Sequence, residues 1–313
     1  MRIIVNRTGL AALALVAALT ISACGSADGA SSSAAAGLSG GQTPIPVVTS
    51  TNVWGDVVSQ IGGDQVAVTA LIVDPAADPH SFEPTAQAQL ALSKAALVVE
   101  NGGGYDDFVQ TMISAAGVAA PVVTAVDLFA KHTDGASDQS AFNEHVWYDF
   151  PTVGKVASRI ADELSSIAPA QAAVFQANLS AFTGKLDGLT AELDAIKAAH
   201  DGAPVAITEP VPLYLTQAAG LVDKTPPEFS DAIEEGTDVP PTVLSDTLGL
   251  FTGKQVVALV YNEQTSSPET EKVLAAAKDN AIATVGVTET LPAGKDYLNW
   301  MDANVTALQG VLG

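Results

Sequence analysis

The chain has 313 residues, with 13 Lys and Arg against 35 Asp and Glu and a formal net charge of −22. Such an acidic chain is disfavoured as a nucleic-acid binder, which needs basic patches, and as a surface that adheres to anionic lipid. Its single cysteine excludes an intramolecular disulfide, and its acidic field favours encounter with cations.

Residues 1–24 read as a secretory leader. Arg2 and Arg7 supply a positive start, and 9–20 is an apolar run too short to cross a bilayer as a helix. Ile21-Ser22-Ala23-Cys24 closes it with small residues before the only cysteine. This resembles the bacterial lipoprotein pattern, in which that cysteine carries the lipid and becomes the mature N-terminus. Lipid on Cys24 would anchor the chain to the outer face of a membrane. Residues 25–43 are rich in Gly, Ser and Ala without an apolar period, as in a flexible tether.

Beyond the tether, short β-branched runs alternate with helical stretches. Strands are expected at 46–51, 66–72, 97–100 and 121–126, with helices at 53–61, 86–94 and 105–116. A second set has strands at 204–208, 256–261 and 282–287 and helices at 212–219, 268–277 and 297–312. Between the sets lie a helix at 152–167 and, after Pro169, a longer one at 171–199. In the longer helix Phe175, Leu179, Phe182, Leu186, Leu189, Leu193 and Ile196 make one apolar stripe. At the rise of an α-helix it spans roughly 40 Å, long enough to run beside two lobes. The expected fold class is α/β, with two lobes (44–168 and 201–313), each a parallel-sheet α/β sandwich, joined by one spine helix (169–200).

With only four histidines, each can be weighed. His80 sits in a proline-stiffened loop, Asp78-Pro-His-Ser-Phe-Glu-Pro84, where a ligand is held at low entropic cost and a solvated side chain is the plain alternative. His145, in His-Val-Trp-Tyr-Asp149, has apolar neighbours that suggest a partly buried imidazole. His200 suits the negative end of the spine helix, and His132 lies in a polar loop; both read as structural or solvated. Glu209 and Glu289 each follow an apolar strand directly, where open α/β sheets bind ligands, although a turn carboxylate facing solvent fits the same pattern.

The ordered set of DPHSFEP at 78–84, HVWYD at 145–149, a strand ending in a donor at Glu209 and Glu-Thr-Leu at 289–291 resembles one family. It is similar to the metal-binding receptors of zinc/manganese ABC importers, the cluster A-I or family 9 solute-binding proteins, over the whole mature chain. The resemblance implies two lobes joined by a long helix, with one divalent transition metal, Zn or Mn, held between them by His80, His145, Glu209 and Glu289. It also implies an ABC permease as partner, and a monomeric receptor on the outer face of the membrane. Many relatives carry His where this chain has Glu209, and Asp where it has Glu289. The long His-rich loop of zinc-specific relatives has no counterpart at 129–143, which removes an argument for zinc without establishing manganese. The chain is read as a binding protein rather than an enzyme, since four protein donors fill a tetrahedral ion and no His-Glu-x-x-His helix occurs. A surface lipoprotein adhesin is the alternative, resting on surface location alone, and a metallohydrolase, which would need an open metal position and a general base, comes last.

Overall fold

The computed structural model describes residues 43–74, 82–129 and 142–313; the leader, Cys24, the tether, His80 and His132 lie outside the described residues. In the first half, β1 (Ile45–Thr51) is followed by α1 (Asn52–Gly62), β2 (Val66–Ile72), α2 (Ala86–Leu92), β3 (Leu97–Glu100), α3 (Phe108–Ala116) and β4 (Val122–Thr124). The strands form one sheet in the order β2-β1-β3-β4, every pairing parallel. Parallel strands are covered on both faces and so read as continuous apolar runs. Leu97-Val-Val-Glu100 in β3 is such a run, buried throughout.

After α4 (Phe150–Ile167) and α5 (Ala172–His200), the second half runs β5 (Pro204–Ile207), α6 (Leu213–Ala218), β6 (Val222–Asp223), α7 (Pro227–Glu234), α8 (Pro241–Thr252), β7 (Ala258–Asn262), α9 (Pro268–Asp279), β8 (Ala283–Val287) and α10 (Tyr297–Leu312). Its sheet has the order β6-β5-β7-β8, again parallel throughout. The two sheets thus share one winding. In each, the strand order reverses beside the first strand, between β1 and β3 and between β5 and β7. At such a reversal the flanking connections leave on opposite faces, and a crevice opens beyond the C-terminal strand ends.

The expected spine is α5. Its stripe is buried at Phe175, Phe182, Leu186, Leu189, Leu193 and Ile196, with Leu179 half-buried. It packs on α1 and α4 of the first lobe and on α6 and α10 of the second. One continuous apolar core runs from Val47 and Val57 through Phe175 and Leu189 to Val260 and Met301, so the lobes share their interior. Hydrogen bonds reinforce the junction. Asn52 donates to the Leu291 carbonyl and accepts from its amide, both at 2.9 Å. Tyr148 donates to the Thr288 carbonyl at 2.7 Å, and Tyr297 to that of Trp147 at 2.6 Å.

The structure departs from the sequence expectation in several places. The strand expected at 121–126 is shortened to Val122–Thr124, because Ala125 turns helical and starts a 3-10 turn over Val126–Leu128. The strand expected at 256–261 begins two residues later and ends at Asn262. β6 was not expected, since two residues carry no alternation. Nor were α7 and α8, where Pro227 and Pro241 open helices at their first turns instead of breaking them.

Candidate metal site

Three of the four residues expected to carry chemistry lie among the described residues, and the fold brings them to the crevice between the sheets. His145 reaches it from the segment before α4. Val146–Tyr148 make a buried 3-10 turn, and Asp149 then caps α4 by accepting from the Thr152 amide at 3.0 Å. His145 is fully buried and packs edge-on against Trp147, with ring centroids 5.0 Å apart. Its Nδ1 stands 2.6 Å from Oδ1 of Asn143, which also accepts from the His145 amide at 3.1 Å. The bonded Nδ1 fixes the ring and turns Nε2 into the crevice.

Glu209 comes from the loop after β5, at the reversal point of the second sheet, and is only 2% exposed. Its Oε2 is buried with no hydrogen-bond partner among the described residues. Glu289 comes from the loop after β8 and is buried too. Asn262, at the end of β7, orients both carboxylates. Its Nδ2 donates to Glu289 Oε1 at 2.7 Å, and with Thr265 it supplies hydrogen bonds to Glu209. Gln264 accepts from the backbone amides of Glu289 and Thr290, which fixes the loop carrying Glu289. The segment 262–265 is thus the scaffold of two carboxylates.

Asn143 ties the two halves of the site together. While its Oδ1 holds His145, its Nδ2 donates to the carbonyl of Pro210, next to Glu209, at 3.0 Å. Its own carbonyl accepts from Tyr214 at 2.6 Å.

Two acidic residues join the group that the sequence did not single out. Oε1 of Glu234, the last residue of α7, lies 3.3 Å from Nε2 of His145. Glu144 precedes His145, and one ligand atom from each of Glu144, His145 and Glu234 fits within 4.8 Å of the others. Glu234 was invisible because α7 itself was not expected. The signals were there: Pro226-Pro227 to open a helix, Phe229, Ala232 and Ile233 on one face, and Glu-Glu-Gly at 234–236 to end it.

The electrostatics of the metal-free site are those of crowded carboxylates. Burial, with repulsion from Glu234 and Glu289, pushes Glu209 up to about 7 against the hydrogen bonds from Thr265 and Asn262. Burial alone would hold His145 neutral, but the facing Glu234, with Glu144 and Glu289 behind it, raises it to about 9. Glu209 is driven towards its protonated form, and the His145 imidazolium becomes the counter-charge of the carboxylates around it. A divalent cation does the same work better, because it neutralises several carboxylates at once and takes the imidazole as a neutral donor. The donor types, imidazole nitrogen and carboxylate oxygen, suit first-row metals such as Zn and Mn. Cys24, the one cysteine of the chain, is remote in sequence from His145, Glu209 and Glu289.

Comparison with known proteins shows the family and the fold. The family model described as "ZnuA: Zinc-uptake complex component A periplasmic" matches residues 47–311, and the chain belongs to that family. The manganese-binding lipoprotein MntA of Halalkalibacterium halodurans is 29% identical over 155 residues, 48% of this chain and 46% of that protein. The match therefore spans about half the length of that curated relative. Among solved structures, the periplasmic zinc-binding protein TroA of Treponema pallidum shares the fold with a TM-score of 0.73 at 18% identity, over 87% of this chain and 100% of that one. The laminin-binding adhesin Lmb of Streptococcus agalactiae does so with a TM-score of 0.70 at 21% identity, over 86% and 100%.

Proposed function

We propose that this member of the periplasmic zinc-uptake family is the extracytoplasmic receptor of an ABC importer, anchored through lipid on Cys24, that captures one Zn or Mn ion and hands it to its permease. His145, Glu209 and Glu289 are the donors from the described residues, with His80 the fourth. The observation that carries the reading is the buried Oε2 of Glu209, without a hydrogen-bond partner among the described residues, in the same crevice as Nε2 of the fully buried His145. A buried polar atom left unpaired is costly, and a cation supplies the missing partner. The manganese-binding name of the H. halodurans relative and the zinc-binding name of TroA both fit this donor set.

The chain acts by capture rather than chemistry, because four protein donors leave a tetrahedral ion no position for a reactive water. The shared apolar core and the hydrogen bonds between lobes favour small local shifts on loading over a wide hinge. Adhesion, the second reading, has a likeness in fold to laminin-binding proteins such as Lmb behind it.

Calorimetric titration of the metal-stripped chain with Zn and Mn, alone and in competition, tests the proposal. The expected result is one ion per chain for either metal, with a Kd of about 1 μM or tighter, and displacement of Mn by Zn in line with the general order of divalent affinities. Absence of saturable binding by both metals would rule the receptor reading out.

A further inference from the structure

Beside the buried group lies a surface pocket of about 370 Å³ whose lining includes Glu144, Asp223, Asp231, Glu234 and Glu235, with no Lys or Arg among the described lining residues. A pocket walled by one sign of charge concentrates the opposite ion. Glu234 belongs both to this pocket and to the buried group, since its side chain is 14% exposed while it faces the fully buried His145.

The spacing of that pair is informative. Two donors on one tetrahedral ion, each about 2.1 Å from it, stand about 3.4 Å apart, and adjacent donors on an octahedral ion stand about 3.0 Å apart. Glu234 Oε1 and His145 Nε2 are 3.3 Å apart, within that interval, so a cation held by His145 Nε2 meets both without movement of α7. Glu234 also stands at the C-terminal end of its helix, where the helix dipole disfavours a carboxylate and favours a cation. The independent sign of a ligand is Glu209 Oε2, buried and without a hydrogen bond among the described residues, on a side chain only 2% exposed.

We propose that Glu234 is a further metal-contacting residue, the carboxylate that receives the ion from the acidic pocket and stays bound to it, biasing the site towards Mn over Zn. The inference rests on the receptor reading above. A third carboxylate beside Glu209 and Glu289 adds oxygen donors and coordination number, both of which suit Mn better than the four-coordinate preference of Zn.

The test measures Zn and Mn binding by the metal-stripped full chain carrying Glu234→Gln, Glu234→Asp or Glu228→Gln, with His145→Ala in parallel. Glu228 lies on the same helix, exposed and away from the pocket lining, and controls for net charge. The expected result is an Mn affinity lowered about tenfold or more by Glu234→Gln, a smaller loss for Zn, and changes within about twofold for Glu228→Gln. Glu234→Asp keeps the charge but withdraws the oxygen, and it should also lose Mn affinity by about fivefold or more, with X-ray absorption of the Mn-loaded form reporting fewer oxygen neighbours. The inference is overturned if Glu234→Asp binds Mn like the parent, or if Glu234→Gln shifts both metals no more than Glu228→Gln does. In either case, loss of binding in His145→Ala leaves the receptor reading standing, and retained binding there removes it as well.

Discussion

His145→Ala is expected to lower the affinity of the chain for both Zn and Mn by about a hundredfold or more, beyond the ten- to hundredfold typical of losing a residue that only orients a ligand. The reason is geometric. His145 is the only nitrogen donor among the described residues of the crevice, its ring is fixed through Nδ1 by Asn143, and its Nε2 faces the carboxylates. An alanine there leaves the acidic group without its imidazole and without the counter-charge that holds it together when no metal is bound. Titration with each metal checks the expectation, and affinities within about twofold of the parent would show that His145 is no ligand. Asn143→Ala makes a graded companion, since it frees the ring and the Pro210 carbonyl together but removes no donor atom.

The second large effect is on pH. A metal ligand must be deprotonated, so the ion competes with the protons on His145 and Glu209. With His145 at about 9 and Glu209 at about 7, binding at neutral pH should release about one to two protons. Affinity should rise about tenfold per pH unit between 7 and 9, where His145 alone titrates, and more steeply below 7.

The metal-free chain should behave in the opposite way. Both groups have folded values above their ordinary ones, 6.5 for His145 and 4.5 for Glu209, so the folded state holds the extra protons. The stability Glu209 contributes is full below 4.5 and lost as pH rises through about 7. That of His145 is full below 6.5 and lost as pH rises through about 9. Melting of the chelator-treated chain should therefore fall from about pH 5 to about pH 9, while the extra stability given by saturating metal grows. Parallel melting curves with and without metal across that range would refute the proton-coupled site.

Much of this was legible in the sequence, for identifiable reasons. The spine was readable because seven apolar side chains from Phe175 to Ile196 keep one spacing along 22 residues, and burial of that stripe is local information. The two parallel sheets were readable from apolar runs such as Leu97–Glu100. Glu209 and Glu289 stood out as acids placed directly after strands, and both are buried at the strand-end crevice. Glu234, Glu144 and the bracing role of Asn143 and Asn262 were not legible. Their meaning lies in contacts between segments far apart in the chain, such as Asn143 with Pro210 and Asn262 with Glu289. Glu234 depends further on an eight-residue helix that carries little periodic signal.

The central claim is that one divalent ion sits between the lobes on His145, Glu209 and Glu289. Anomalous diffraction from crystals of the Zn- or Mn-loaded chain, recorded at the absorption edge of the metal, tests it most directly. The account predicts a single strong peak in the crevice, about 2.0–2.2 Å from Nε2 of His145 and from a carboxylate oxygen of Glu209 and of Glu289. A metal peak elsewhere on the chain, with His145 Nε2 still paired to Glu234 and no ion between them, would contradict it.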